Sequence, residues 1–322
     1  MFIQILILIF GFVLLILGAN ALVNGASNIA KKFHISEILI GLTIVALGTS
    51  LPELVVTIIS SANNNTDIIV GNVIGSNICN LLLVLGFIAV LKPIKFEKTT
   101  IKQNLPFLIG ITALVLIMGL GLLSENKLIF TELDGIILLI IAIIYFLYPI
   151  IEYIKIQKAN NNLIEKENNN SKNNNLIQSI IYILLGGFAL KYGGDFVVDS
   201  ATAIATSLSV SERVISLTIV ALGTSLPELA TAIVAIIKND EELAEGNIIG
   251  SCIINFCLIL GLGSALSILP ITTAYIENLI LLLATSILIW LYSFGNKNNT
   301  LTRGNGMILL IIYLIYTIRL FI

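Results

Sequence analysis

Charge is what this chain lacks. Only 11% of its 322 residues are charged, 57% are hydrophobic, and the mean hydropathy is +1.03. A soluble globule of this length needs more polar surface than that. Cysteine and histidine are also scarce: Cys79, Cys252 and Cys257 all lie in apolar runs and His34 is the single histidine. That excludes a disulfide framework and zinc-ligand spacing. No Ser/His pair or catalytic Asp pair falls in the apolar spans, so an intramembrane hydrolase is disfavoured and no enzyme is expected. The net charge of −2 gives no sign of a nucleic-acid partner.

What is present is a series of apolar runs, each long enough for a hydrocarbon layer about 30 Å thick, where only helices satisfy their own backbone. Ten are predicted, near 2–30, 36–61, 68–91, 104–123, 133–154, 177–206, 212–237, 243–268, 272–293 and 304–322. The expectation is an all-α polytopic membrane protein in the cell membrane, surrounded by the lipid bilayer. The first run has no basic lead and no convincing cleavage site, so it reads as a retained helix. Alternate connections hold 13 of the 17 basic residues, among them Lys31, Lys32, Lys92, Lys95, Lys98 and Lys238. By the positive-inside rule those connections are cytoplasmic and both termini are extracellular.

The one markedly polar stretch, "KIQKANNNLIEKENNNSKNNN" at 155–175, is too poor in apolar residues to fold alone and reads as a cytoplasmic linker. It joins two copies of one unit, expected at 1–154 and 177–322 with 155–176 between them. Residues 41–54 and 216–229 agree at thirteen of fourteen positions, and 71–86 and 246–261 at ten of sixteen, with a constant offset of 175. Five helices per copy is an odd number, so the second copy must enter the membrane from the opposite side. Inverted repeats with interrupted helices at matching places are a feature of secondary transporters, whose substrate site lies at the repeat interface.

The repeated stretch "ALGTSLPE" places Glu53 and Glu228 deep inside apolar runs with no Lys or Arg near them in sequence, Arg213 standing at the outer edge of the second run. A charge at the bilayer centre costs on the order of 3 kcal/mol even on a forgiving scale, and the simplest compensation is a bound cation. Two carboxylates match one divalent ion. Thr49 and Ser50 share a helical face with Glu53, as Thr224 and Ser225 do with Glu228. Pro52 and Pro227 have no N–H, which releases the carbonyls of Gly48 and Gly223. Asn72, Ser76 and Asn80, matched by Asn247, Ser251 and Asn255, form two further polar stripes. This oxygen-rich set suits a hard cation such as Ca²⁺, which takes about 6–8 oxygens. Gly71 with Gly75, and Gly246 with Gly250, permit close helix contact.

Other polar residues have plainer expectations. Lys191 and Asp195 have ion-pair spacing on the sixth run, with Asp199 one turn further and the uncharged Asn20 and Asn24 as their counterparts. His34 reads as a solvated loop residue, and the acidic "NDEELAE" at 239–245 as a solvated helix start.

"ALGTSLPE" followed by "GNVIGSNICN", and again by "GNIIGSCIIN", resembles the paired repeats of the cation/Ca²⁺ antiporter superfamily, in particular the prokaryotic sodium/calcium exchangers. The resemblance implies a central site that takes Ca²⁺ in alternation with Na⁺, without a cofactor. Glu53 and Glu228 would bind both ions, joined for Ca²⁺ by backbone oxygens at Thr49 and Thr224. Ser50 and Ser225 would complete an inner Na⁺ site. Ser76, Ser251 and the Ala221 carbonyl would form an outer one, with Asn80 and Asn255 flanking the centre and Ala46 counted among the metal-site residues. The first and sixth helices would slide across the core to expose it to each side in turn.

Two residues depart from that pattern: Asn255 stands where relatives carry Asp, which weighs against K⁺ co-transport, and Cys252 stands opposite Asn77. The linker has no room for Ca²⁺-sensing domains, and a monomer is expected to function. The expected activity is electrogenic Na⁺/Ca²⁺ antiport by alternating access. H⁺/Ca²⁺ exchange on the same carboxylates is the alternative, and a cation channel is a more distant one.

Overall fold

In the computed structural model, residues 2–33, 35–121, 128–160, 176–209, 221–294 and 299–321 are described. The expectations for His34, for most of the linker and for the first part of the 212–237 run fall outside them. The first half comprises α1 (Phe2–Phe33), α2 (Glu37–Thr49), α3 (Leu51–Ala62), α4 (Thr66–Leu91), α5 (Thr100–Gly119) and α6 (Glu132–Asn160). The second comprises α7 (Leu176–Ser207), a helical turn at Ala221–Gly223, α8 (Leu226–Ile237), α9 (Glu241–Leu266), α10 (Thr273–Phe294) and α11 (Arg303–Phe321). Among the described residues seven helices are long and apolar enough to cross a membrane, or eight if the bent pair α2–α3 is one span. Helix α6 continues past position 154 into the expected linker.

The bend between α2 and α3 is 46° and has a local cause. Ser50 leaves the helix at φ −86°, ψ 8°, and Pro52 opens the next helix in its first turn, where a missing N–H does no harm. Ser225 repeats the step at φ −89°, ψ 2°, ahead of Pro227. The long helices at the centre, α4 and α9, are 78% and 83% buried over their apolar windows, whereas α1 and α7 are 22% buried. Both central helices carry a π-helical segment, Cys79–Val84 in α4 and Asn255–Leu260 in α9. Large apolar side chains such as Ile9, Leu17, Ile144 and Leu314 are exposed along the outer helices, the surface expected where the solvent is lipid.

Glycines set the closest packing. A Cβ on Gly11 would stand 2.9 Å from the Gly193 carbonyl oxygen, and one on Gly18 would stand 2.9 Å from that of Gly186. Helices α1 and α7 therefore run antiparallel with their backbones in contact. At the offset of 175, Gly11 matches Gly186 and Gly18 matches Gly193, so each glycine rests on the counterpart of the other. Elsewhere Gly86 packs on Gly306, and Gly135 on Gly261 and its neighbours. Two short antiparallel pairs also cross between the halves: Ile94–Lys95 with Thr300–Leu301, and Ile129–Phe130 with Leu269–Pro270.

Gly246 and Gly250 fulfil their expected role, with virtual Cβ atoms 2.6 Å from the carbonyls of Ile38 and Leu42. Gly75 has nothing within 4 Å among the described residues, because the segment that matches α2 at the repeat offset begins outside them.

Gly18→Val is expected to drive a side chain into the α7 backbone and to lower stability by about 1–3 kcal/mol. Gly110→Ala, at a position with nothing within 4 Å, is expected to leave the melting temperature of the detergent-solubilised protein nearly unchanged.

Candidate functional site

The two helix breaks and the two buried helices meet at Glu53 and Glu228. Both carboxylates are fully buried, at 0% exposure. The four ion pairs among the described residues involve neither of them. Ser76 donates to Glu53 Oε1 at 3.3 Å, and its counterpart Ser251 donates to Glu228 Oε1 at 3.4 Å. Ser50, from the first break, donates across the halves to Glu228 Oε1 at 3.2 Å. The hydroxyls of Thr49 and Ser251 are 3.3 Å apart, and those of Thr224 and Ser76 repeat this contact at 3.3 Å. One connected network therefore holds Thr49, Ser50, Ser251 and Glu228, and a matching one holds Thr224, Ser76 and Glu53.

The remaining predicted residues border the same place. Asn80 and Asn255 are fully buried, each in a π-helical segment. The Ala46 carbonyl accepts from Ser50 N at 3.0 Å and from the Thr49 hydroxyl at 3.3 Å. Ala221 begins the helical turn just before Thr224. Ser225 is 1% exposed, and its hydroxyl has no well-formed hydrogen bond among the described residues. Of the polar stripes, Asn72 donates to the Glu53 carbonyl at 3.4 Å, while Asn247 accepts from Thr49 at 3.1 Å.

What these atoms leave unpaired decides the chemistry. Glu53 Oε2, Glu228 Oε2, Asn255 Oδ1, Ser225 Oγ and both amide atoms of Asn80 are buried without a hydrogen-bond partner among the described residues. Buried carboxylates without positive charge are strongly destabilising, and buried polar atoms are normally paired. Oxygens of carboxylate, hydroxyl and amide without nitrogen or sulfur partners are the donor set of a hard cation. Such a cation fits this set of donors.

Several expectations need adjustment. Asp240 does start a helix, with its carboxylate accepting from Leu243 N at 3.2 Å. Glu245, expected to be solvated, is instead fully buried, and its Oε1 accepts from Thr100 Oγ1 at 2.9 Å and Glu97 N at 3.2 Å. Its counterpart at the repeat offset, Val70, is a buried apolar residue, which is the signal that position 245 faces inward. Lys191 pairs with Asp195 at 2.7 Å as its spacing predicts. Asn24 and Asn20 receive Lys238, whose Nζ lies 2.7 Å from Asn24 Oδ1 and 3.4 Å from the Asn20 carbonyl. Asn77 was not singled out as a site residue, yet it accepts from Asn255 Nδ2 at 2.9 Å.

The family model described as sodium/calcium exchanger protein matches residues 3–151 and 178–322. The chain belongs to the sodium/calcium exchanger family. Among proteins this exchanger resembles, CaxA of Alkalimonas amylolytica, named as an antiporter, is 36% identical over 97% of this chain and 96% of its own length. The sodium/calcium exchanger MaX1 of Methanosarcina acetivorans is 30% identical, with 98% of each chain covered. The solved structure of the sodium-calcium exchanger NCX_Mj soaked with 2.5 mM Na⁺ and 0.1 mM Ca²⁺ superimposes with a TM-score of 0.81 at 31% identity, covering 97% of each chain. This chain is accordingly a multi-pass membrane cation/Ca²⁺ antiporter, and Na⁺ and Ca²⁺ are the ions of its family.

Ca²⁺ is expected to raise the melting temperature of the purified exchanger by binding the folded state. Glu228→Gln is expected to abolish that rise while melting no lower than the wild type without ions, since it removes a buried charge. Thermal denaturation with and without Ca²⁺ checks both.

Proposed function

We propose that this exchanger carries Na⁺ against Ca²⁺ through one central site and does so electrogenically. The observation that carries the proposal is the pair of fully buried carboxylates, each with one unpaired oxygen, set among hydroxyl and amide oxygens with no basic side chain paired to them. Glu53 and Glu228 neutralise one Ca²⁺, with backbone oxygens at Thr49 and Thr224 completing its shell. Na⁺ competes for the same carboxylates, joined by Ser50 and Ser225 on one side and by Ser76, Ser251 and the Ala221 carbonyl on the other, with the Ala46 carbonyl close to Ser50. Shared ligands prevent both loads from being carried at once. Three Na⁺ against one Ca²⁺ moves net charge.

Ten spans as two inverted copies, 1–154 and 177–322, are the architecture we infer for this mechanism. The antiparallel contact of α1 with its own counterpart α7 supports it, as does the exchange of partners between the two short strand pairs. The lipid-facing pair α1–α7 slides over α2 and α8 and opens the site to one side at a time. The distribution of Lys and Arg supports extracellular termini and a cytoplasmic linker at 155–176. The site is built within one chain, so a monomer suffices. Asn255 gives the centre no third acid, which favours Na⁺ without K⁺.

Radioactive Ca²⁺ uptake into proteoliposomes tests the counter-ion. An outward Na⁺ gradient is expected to drive uptake, and an inside-positive potential set by K⁺ and valinomycin is expected to change its rate. Uptake that follows a proton gradient and ignores Na⁺ would replace this proposal with H⁺/Ca²⁺ exchange.

A further inference from the structure

The two halves of the site share the Ser76–Glu53 and Ser251–Glu228 bonds and the Thr224–Ser76 and Thr49–Ser251 contacts, but one pair of counterpart positions differs in chemistry. Residues 77 and 252 are counterparts at the repeat offset, as are Asn80 and Asn255, but position 77 is Asn and position 252 is Cys. All four side chains are buried, with at most 0% exposure. Asn77 Nδ2 donates to the carbonyl of Cys252 at 3.3 Å, and Asn77 Oδ1 accepts from Asn255 Nδ2 at 2.9 Å. Those two bonds fix the Asn77 amide and through it the Asn255 amide, so that Asn255 Oδ1 remains unpaired in a set orientation.

The mirror arrangement would require an amide at 252 that donates to the carbonyl of residue 77 and accepts from Asn80. A thiol supplies neither function well, being a weak donor and a weak acceptor. Asn80 accordingly faces only the weakly bonding Cys252 thiol, with no well-formed hydrogen bond at Nδ2 or Oδ1 among the described residues, although it is as buried as Asn255. The exposed alternative, a water-solvated amide, is closed to it.

We propose that Asn77 is a positioning residue that presets Asn255 as an oxygen ligand, and that Cys252 withholds the same support from Asn80, so the two amide ligands of the ion site are unequal. This rests on the proposed site at Glu53 and Glu228. An anchored amide offers its oxygen without further ordering, whereas a free amide must lose rotational freedom when an ion binds. Cys252 thereby tunes affinity: the first-half amide adapts to the ion present, and the second-half amide is fixed.

Direct Ca²⁺ titration calorimetry on the purified full chain tests this, alongside KM and maximal rate for Ca²⁺ uptake in proteoliposomes. Cys252→Asn restores the missing partner of Asn80 and is expected to tighten Ca²⁺ binding roughly two- to tenfold, the range of one neutral hydrogen bond. Asn77→Cys, which frees Asn255, is expected to weaken it by a similar factor. Both changes should appear in Kd and KM more than in the maximal rate. Cys252→Ala removes the thiol without supplying an amide and is expected not to tighten binding. Equal effects of Cys252→Asn and Cys252→Ala, or an unchanged Kd in a folded Cys252→Asn protein, would overturn the inference while leaving the central site standing. Wild-type protein without saturable Ca²⁺ binding, or a Glu228→Gln protein that still binds, would overturn both.

Discussion

Two carboxylates buried in an apolar bundle without a basic partner set the terms for the rest of this molecule. Burying one unpaired charge is a large penalty, and burying two of the same sign adds repulsion. The surrounding structure answers with hydroxyls: Ser76 and Ser251 on the central helices each donate to the carboxylate of their own half, and Ser50 from a helix break reaches Glu228 across the halves. It does not complete the neutralisation. In the proposed mechanism the missing positive charge is left to the cargo, which makes occupancy by a cation a condition of the site's stability.

Bringing those groups together demands unusual backbone. A continuous helix through Ser50 would satisfy its own carbonyls and point Thr49 and Ser50 along one stripe. The proline two residues later ends that continuity, and the 46° turn carries Ser50 across to Glu228. The π-helical segments at Cys79–Val84 and Asn255–Leu260 begin at or beside the two site asparagines and shift their register inside otherwise regular helices. Glycines along α1 and α7 permit backbone contact between two long, largely exposed helices, so an outer pair is joined to itself more closely than to the core. The packing divides into a buried centre that carries ligands and a smooth outer pair, which is the division that alternating access requires.

Much of this was legible in the sequence because duplication repeats the signal. One buried Glu is ambiguous; Glu53 and Glu228 in identical surroundings are not. The helix breaks followed from Pro52 and Pro227, and the polar stripes of α4 and α9 from four-residue spacing. Glu245 reads as solvated because the local charge density of "DEE" at 240–242 outweighs the inward register that its counterpart, Val70, reveals. The π-helical segments have no residue signature, since they arise from packing between elements. Asn77 escaped notice for a different reason: its partner position holds Cys, and its role exists only through contacts with Asn255 and the Cys252 backbone, which join residues 178 and 175 positions apart.

The claim on which the account turns is that a single divalent cation sits between Glu53 and Glu228. Anomalous X-ray scattering from crystals of the protein grown with Sr²⁺ in place of Ca²⁺ would locate it directly. The account predicts one dominant peak in the transmembrane core bonded to oxygens of both glutamates, at about 2.3–2.6 Å for Ca²⁺ and slightly more for the larger ion. A well-occupied peak elsewhere in the bundle, with Glu53 and Glu228 unliganded, would contradict it.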